Sequence, residues 1–235
     1  MSQRRAQRLV RPGTSSLSLP LHLLGIASFA YNFHFLTLWD TPFQTAYGGH
    51  YQFLTIIGLA LSLAAYVFAV LADLTHSVAL YQIKNAIAII ATPLEVVITI
   101  LYWSIKAIDP LLLMPDESFA MPRLADLGFH LNPAVLLTLD LVLFSPPWTI
   151  PAYGVMALST TFAFAYWYWV EMCFSKNGWY PYPMFGLLST SQRVILFASS
   201  ALLVTLTSGG LKWLYARING FEEARKEPHK PLKKM

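Results

Sequence analysis

Long apolar runs, separated by short polar segments, dominate the chain. Six of these runs approach the ~20 residues that a helix needs to cross the hydrocarbon of a bilayer. Pro146 and Pro147 end the fourth run, because proline removes a backbone donor and stops a helix. The pattern predicts an all-α, polytopic membrane protein, a bundle of six transmembrane helices. The predicted spans are 17–39, 51–74, 85–107, 128–145, 154–175 and 191–217.

Basic tails flank this helical domain. We expect a tail at 1–16, the transmembrane domain at 17–218 and a second tail at 219–235. The first span follows a basic leader and contains small residues at Ser28 and Ala30, so a cleaved signal peptide is an alternative. The apolar run continues to Trp39, beyond the length of a signal core, and this favours an uncleaved first helix.

The composition agrees with a membrane protein. Hydrophobic residues make up 56% of the chain and charged residues 12%, about half the charged fraction of a soluble domain. The lone Cys173 has no partner for an intrachain disulfide. The net charge of +4 comes largely from the tails, and basic flanks on apolar spans set orientation, so we do not expect nucleic-acid binding.

The distribution of lysine and arginine predicts the orientation. With six spans both tails lie on one side, and twelve of the sixteen basic residues fall on that side. Both termini are therefore expected in the cytoplasm. The loops at 40–50, 108–127 and 176–190 then face the lumen or the exterior.

Polar residues inside the spans are candidates for function, since such residues usually face a cavity or a partner. Thr55 and His130 each lie about one turn inside a span that starts on the outer side. His34 and Glu171 come close to the same depth. The four side chains are expected to line one pocket that opens toward the outer leaflet.

Other ionisable groups lie deeper. Glu95 and Asp140 are near the midplane and are equally consistent with contacts between helices or with function. Asp73 and Lys212, at the inner ends, are expected to meet headgroups or loop backbone.

Thr55 and His130 could instead have structural roles. A threonine in a membrane helix commonly bonds to its own carbonyls, and a histidine at a helix start commonly packs at the interface. A haem would need paired histidines on facing helices, and His34 with His130 is the one pair at a matching depth. The sequence contains no metalloprotease, serine-hydrolase or phosphate-loop motif. We therefore expect no cofactor and no metal ion.

Local motifs then resemble a known family. Five short segments, in order and at similar spacing, are similar to those of the androgen-induced gene 1 and androgen-dependent TFPI-regulating protein family of six-span membrane proteins. They are Gln44-Thr45-Ala46-Tyr47-Gly48-Gly49 with Gln52-Phe53-Leu54-Thr55, Ala72-Asp73-Leu74, Gly128-Phe129-His130, the acidic Asp140, and Trp179 to Phe185.

The resemblance implies hydrolysis of fatty acid esters of hydroxy fatty acids within a membrane. Carried over by position, Thr55 is the nucleophile and His130 its partner. A carboxylate that orients the imidazole would complete a triad-like arrangement, and depth in the membrane favours Glu171, then Asp140, for this role. The chain departs from the family by inserting Ala46, and by carrying Glu171 and Met172 where family members have histidines.

The expected partners are the bilayer and a lipid with long acyl chains. Lipid chemistry and the Lys233-Lys234 pair suggest the endoplasmic reticulum or another endomembrane, with the plasma membrane as an alternative. The alternative function is non-enzymatic: a small-solute transporter, or a scaffold for lipids or proteins. A transporter requires a continuous polar path from the outer pocket toward Glu95 and Asp140.

Overall fold

The chain folds entirely into helices and connecting loops over residues 17–219, which are the residues that the computed structural model describes. The tails predicted at 1–16 and 219–235 lie outside this range, except that Asn219 ends the last helix. The helices are α1 (Ser18–Leu38), α2 (Leu54–Thr75), α3 (Val78–Ile108), α4 (Arg123–His130), α5 (Asn132–Phe144), α6 (Ala152–Asn177), α7 (Met184–Leu187) and α8 (Thr190–Asn219).

Turn residues set the helix boundaries. His76 adopts the left-handed conformation (φ 53°) and ends α2, and the Ser77 hydroxyl then caps α3 by accepting a hydrogen bond from the Leu80 N–H at 3.4 Å. Gly178 (φ 77°) ends α6 in the same left-handed region, where a Cβ atom would be strained. Because Ser77 caps it, the third helix starts at Val78, seven residues before its predicted start.

The predicted fourth span is a broken helix. The break falls at Leu131, and α4 and α5 meet there at an angle of 43°. Pro133 lies in the first turn of α5 and has no N–H to continue the helix from α4. His130 is therefore the last residue of α4, rather than a residue one turn inside a straight span.

Among the described residues, four helices are long and apolar enough to cross a membrane: α1, α2, α3 and α8. The bent α4–α5 pair counts as a fifth if it crosses as one unit. The 26-residue α6 is long enough but less apolar, because tyrosine and tryptophan interrupt its aliphatic residues. Large apolar side chains such as Leu24 and Leu206 are exposed on the helix surfaces, as lipid contact requires.

The third helix is the centre of the bundle. It packs most extensively against α2 and also contacts α5 and α8, while α1 packs on α2 and α6 on α8. The core between α1, α2 and α5 contains the completely buried Phe29, Tyr66 and Leu137. Consecutive long helices run in alternating directions, so the start of α2 and the end of α3 lie at the same end of the bundle.

At the opposite end, four charged or titratable side chains form what we call the ionic cluster: His22, Asp73, Lys84 and Asp140. His22 bridges the two carboxylates, with Nδ1 at 2.7 Å from Asp73 and Nε2 at 2.9 Å from Asp140. The Nζ atom of Lys84 lies 2.5 Å from Asp140, and both side chains are completely buried. The cluster joins α1, α2, α3 and α5.

Two expectations for this end need adjustment. Asp73 lies inside the bundle and accepts a hydrogen bond from the Ser18 hydroxyl at 2.8 Å, because α1 supplies partners that the sequence does not reveal. Lys84 is buried rather than placed in a loop, because α3 begins earlier than predicted. Lys212 does meet loop backbone, donating to the carbonyl of Ile150.

Replacing Asp140 by asparagine should strongly destabilise the bundle. The substitution keeps the shape but leaves the Lys84 ammonium buried without its counter-ion, which costs about 3–5 kcal/mol for pairs of this kind. The measurement is the midpoint of thermal unfolding in detergent. The matched control is Glu117→Gln on an exposed carboxylate. Equal midpoints for the two variants would show that the ionic cluster does not stabilise the fold.

Candidate functional site

Thr55 lies in the first turn of α2 and is buried. The chain reaches it through a tight turn at Gly48 and Gly49 and a short 3-10 helix, Gly49–Gln52. The Gln52 side chain is completely buried; it donates to the Gly49 carbonyl at 2.9 Å and accepts from the Asn177 amide at 3.0 Å. The loop that precedes Thr55 is thus held both by a hydrogen bond from α6 and by a hydrogen bond within the loop itself.

Tyr182 approaches Thr55 from the loop between α6 and α7. Its hydroxyl accepts a hydrogen bond from the Leu54 N–H at 3.1 Å and lies within hydrogen-bonding reach of the Thr55 side chain. Burial raises the pKa of Tyr182, and the hydrogen bonds with Thr55 and Leu54 only partly offset that rise. Tyr182 therefore stays protonated and is a potential donor beside the threonine hydroxyl.

His130 is held from three sides at the end of α4. Its Nδ1 atom lies 3.0 Å from the Asp126 carboxylate and 3.1 Å from the Asp126 carbonyl. The ring stacks on Tyr102 of α3, with parallel planes and 3.4 Å between centroids. Since both Asp126 groups accept, the ring proton belongs on Nδ1, and the lone pair of Nε2 is available to a substrate or nucleophile.

Asp126 organises this end of α3 as well. It accepts a hydrogen bond from the Tyr102 hydroxyl at 2.5 Å and pairs with the Lys106 ammonium. The carboxylate is nearly buried, whereas the lysine is partly exposed. Three donors from two helices therefore converge on one carboxylate, and the imidazole is one of them.

Thr55 and His130 line one small cavity of about 40 Å³. Aromatic side chains from three parts of the chain, Trp39, Tyr102 and Tyr182, also line it. Leu113, Met114 and Met121 cover it from the loop between α3 and α4. The matched depth predicted for the pair thus corresponds to a shared cavity.

A second, larger pocket of about 150 Å³ adjoins this cavity. It lies between α2, α3, α6 and α8 and runs along α3 from Ile89 to Ile105. Its walls contain no charged side chain and few polar ones. Thr55, Tyr102 and Tyr182 belong to the walls of both spaces, so the threonine lies where the apolar pocket meets the histidine-lined cavity.

The other predicted site residues lie elsewhere. Glu171 accepts from the Trp167 indole at 2.9 Å and pairs with Arg193 at 2.7 Å, and it lines neither space. His34 is exposed on α1 and lines neither space. Glu95 is buried and accepts from the Ser62 hydroxyl at 3.0 Å. Asp73 and Asp140 belong to the ionic cluster.

The sequence reasoning missed Asp126, which takes the position expected for Glu171 or Asp140. The sequence spacing could have revealed this contact: Asp126 and His130 are four residues apart, and residues at that spacing are neighbours on a helix. Tyr102 comes from a different helix, and its stacking on the imidazole has no signal in the sequence. Within residues 17–219, no group of three or more histidine, cysteine, aspartate or glutamate side chains is arranged to hold a metal ion.

Together, the fold and the site define a polytopic α-helical membrane protein with a small histidine-lined cavity at one end of its bundle. The FAR-17a/AIG1-like family matches residues 17–216, so the chain belongs to that family. The family predicted from the five segments is thereby confirmed.

Two relatives extend this assignment. The chain is 31% identical over 188 residues to a UPF0641 membrane protein of Schizosaccharomyces pombe, which covers 79% of this chain and 84% of the relative. It is 24% identical over 182 residues to the human androgen-induced gene 1 protein, covering 70% and 76% respectively. No solved structure matches the chain significantly.

Gly128→Ala tests how α4 is positioned. A Cβ atom at Gly128 would lie 2.3 Å from Oδ1 of the completely buried Asn32 on α1, so α4 and its histidine must shift. Overpacking of this kind costs about 1–3 kcal/mol. We expect a lower unfolding midpoint in detergent, with Gly210→Ala as the control because nothing lies within 4 Å of its Cβ position. Equal midpoints would contradict close packing of α4 on α1.

Proposed function

We propose that this protein is a membrane-embedded hydrolase of lipid esters, acting on fatty acid esters of hydroxy fatty acids through Thr55 and His130. One observation carries the proposal: Thr55 is part of the wall between the apolar pocket and the histidine-lined cavity. A linear acyl chain suits the elongated apolar pocket. Its ester carbonyl would then lie beside the threonine, within reach of the histidine-lined cavity.

The chemistry follows the usual logic of a hydroxyl nucleophile and an imidazole base. Nε2 of His130 takes the proton of the Thr55 hydroxyl as Oγ1 attacks the ester carbonyl. The tetrahedral intermediate collapses to an acyl-threonine, and the imidazolium returns the proton to the departing alcohol. Water then attacks the acyl-threonine, and the same two groups exchange protons in the reverse order.

In this scheme Asp126 is the carboxylate that orients the imidazole of His130. Its carboxylate holds Nδ1 and stabilises the imidazolium that forms during both steps. Tyr182 is the donor best placed for the oxyanion: it accepts from the Leu54 N–H, so its own proton remains available beside Thr55.

The topology that suits this function has six spans, with α6 as the additional one and both termini in the cytoplasm. The excess of basic residues on the tail side supports this orientation. The Thr55 end of the bundle then faces the lumen or the exterior, and the substrate enters from that leaflet. We place the protein in the endoplasmic reticulum or another endomembrane, with the plasma membrane as the alternative.

A transporter or scaffold is the alternative. Transport needs a continuous polar path, and the walls of the apolar pocket carry no charged side chain that would extend one. Glu95 is bonded to Ser62, and the carboxylates of the ionic cluster are paired with His22 and Lys84. These contacts favour the hydrolase.

Thr55→Ala and His130→Ala should each reduce ester hydrolysis by roughly 10³-fold or more, since both groups of a nucleophile–base unit are needed. The measurement is turnover of a fatty acid ester of a hydroxy fatty acid by purified protein in detergent micelles. A fluorophosphonate probe that reacts with activated hydroxyls should label the wild type and not Thr55→Ala.

The matched controls are Thr161→Ala and His34→Ala, which alter exposed residues that line neither space. Both should keep wild-type turnover and labelling. Wild-type hydrolysis by the Thr55→Ala protein would disprove the mechanism and favour a non-enzymatic function.

Asp126→Asn should lower kcat by roughly 10²- to 10⁴-fold while leaving most of the fold intact, because the amide no longer stabilises the imidazolium. KM should change little, since Asp126 does not line the apolar pocket. Asp116→Asn, at an exposed position in the loop before α4, is the control. A change in KM alone would mean that Asp126 shapes the pocket rather than the base.

A further inference from the structure

A second imidazole lines the cavity that Thr55 and His130 share. His50 lies in the 3-10 helix Gly49–Gln52, and its ring stacks on Trp39 with 12° between planes and 6.3 Å between centroids. The turn at Gly48 and Gly49 and the indole therefore fix where the ring stands. Neither the sequence motifs nor the mechanism above gives His50 a role.

The Nε2 atom of His50 is buried and has no hydrogen-bond partner among the described residues. The Leu36 carbonyl acts as an acceptor for the same ring, so this contact belongs to Nδ1 and keeps the ring proton there. Burial lowers the pKa of His50, which keeps the ring neutral near pH 7. Its Nε2 is consequently a buried acceptor, a costly group unless something donates to it.

The dimensions of the cavity suit water. A water molecule needs roughly 10–15 Å³ of such space and two or more polar partners. The cavity has about 40 Å³, and the residues that line it include His50, Thr55 and His130. It is too small for an acyl chain, which the larger pocket accommodates.

We propose that His50 binds and orients the hydrolytic water that releases the acyl group from Thr55. This inference rests on the proposed hydrolase function. One O–H of the water donates to Nε2 of His50, and the other donates to Nε2 of His130, so that an oxygen lone pair faces the acyl carbonyl.

The step balances without any further reactant. The water oxygen forms the new C–O bond while its proton moves to Nε2 of His130. The bond between the acyl carbon and Oγ1 of Thr55 breaks, and the imidazolium returns the proton to Oγ1. A free fatty acid leaves and the threonine hydroxyl is restored. His50 keeps its hydrogen bond to the second O–H of the water throughout.

The test separates acylation from deacylation with a p-nitrophenyl ester of a long-chain fatty acid. His50→Phe keeps a ring that stacks on Trp39 but removes the acceptor. We expect the first-turnover burst of p-nitrophenol to keep its wild-type rate and to reach about one equivalent. Steady-state turnover should fall about 10- to 100-fold, as expected for the loss of one hydrogen bond to a reacting group. Intact-mass spectrometry should show the acyl group accumulating on the protein.

His50→Gln, which retains a side-chain acceptor, should recover part of the turnover, and the exposed His34→Phe should match the wild type. If His50→Phe slows the burst and the turnover equally, His50 acts before the acyl-enzyme and the proposal is wrong. Unchanged turnover would also overturn it. If Thr55→Ala remains active, the hydrolase mechanism itself fails, and this outcome is distinct from either result with His50.

Discussion

The contact between Lys84 and Asp140 is the constraint on which the bundle depends. Both side chains are completely buried, and an unpaired charge there would be far more costly than the pair is beneficial. His22 extends the contact to Asp73, so four helices are joined at one level. Eighteen residues separate Thr55 from Asp73 on α2, and eighteen separate Lys84 from Tyr102 on α3. At 1.5 Å per residue both separations are about 27 Å, so fixing one end of these helices brings Thr55 and Tyr102 to one level at the other.

At that other end the structure divides two tasks between two adjoining spaces. The apolar pocket offers an environment for hydrocarbon, and the small cavity contains the titratable and hydroxyl groups. Thr55 and Tyr182 belong to both, so a ligand that extends from one space into the other passes their hydroxyl groups. In the proposed hydrolase, the acyl chain stays in apolar surroundings while its ester carbonyl lies beside Thr55.

The sequence predicted most of the helices because each apolar run has the length of a span, and the depth of Thr55 and His130 followed from orientation and rise per residue. Depth along a helix does not determine which way a side chain faces. Glu171 was expected at the depth of His130, yet it pairs with Arg193 on α8. Asp126 reaches His130 because it is four residues earlier on the same helix. Lys84 falls one residue outside the predicted third span, because that prediction used hydropathy. The helix in fact starts earlier, at Val78, where the Ser77 side chain caps it.

The break in the fourth span explains why His130 lies at the end of a helix. A straight helix through Leu131 would place His130 in mid-helix. Pro133 instead ends the hydrogen-bonded ladder, α5 departs at 43°, and α4 becomes a short element that ends at the imidazole. Being short, α4 is positioned by its contacts: Gly128 against Asn32 on α1, and Asp126 with Tyr102 and Lys106 on α3. The ionic cluster fixes α1 and α3, and these helices in turn position the imidazole of His130.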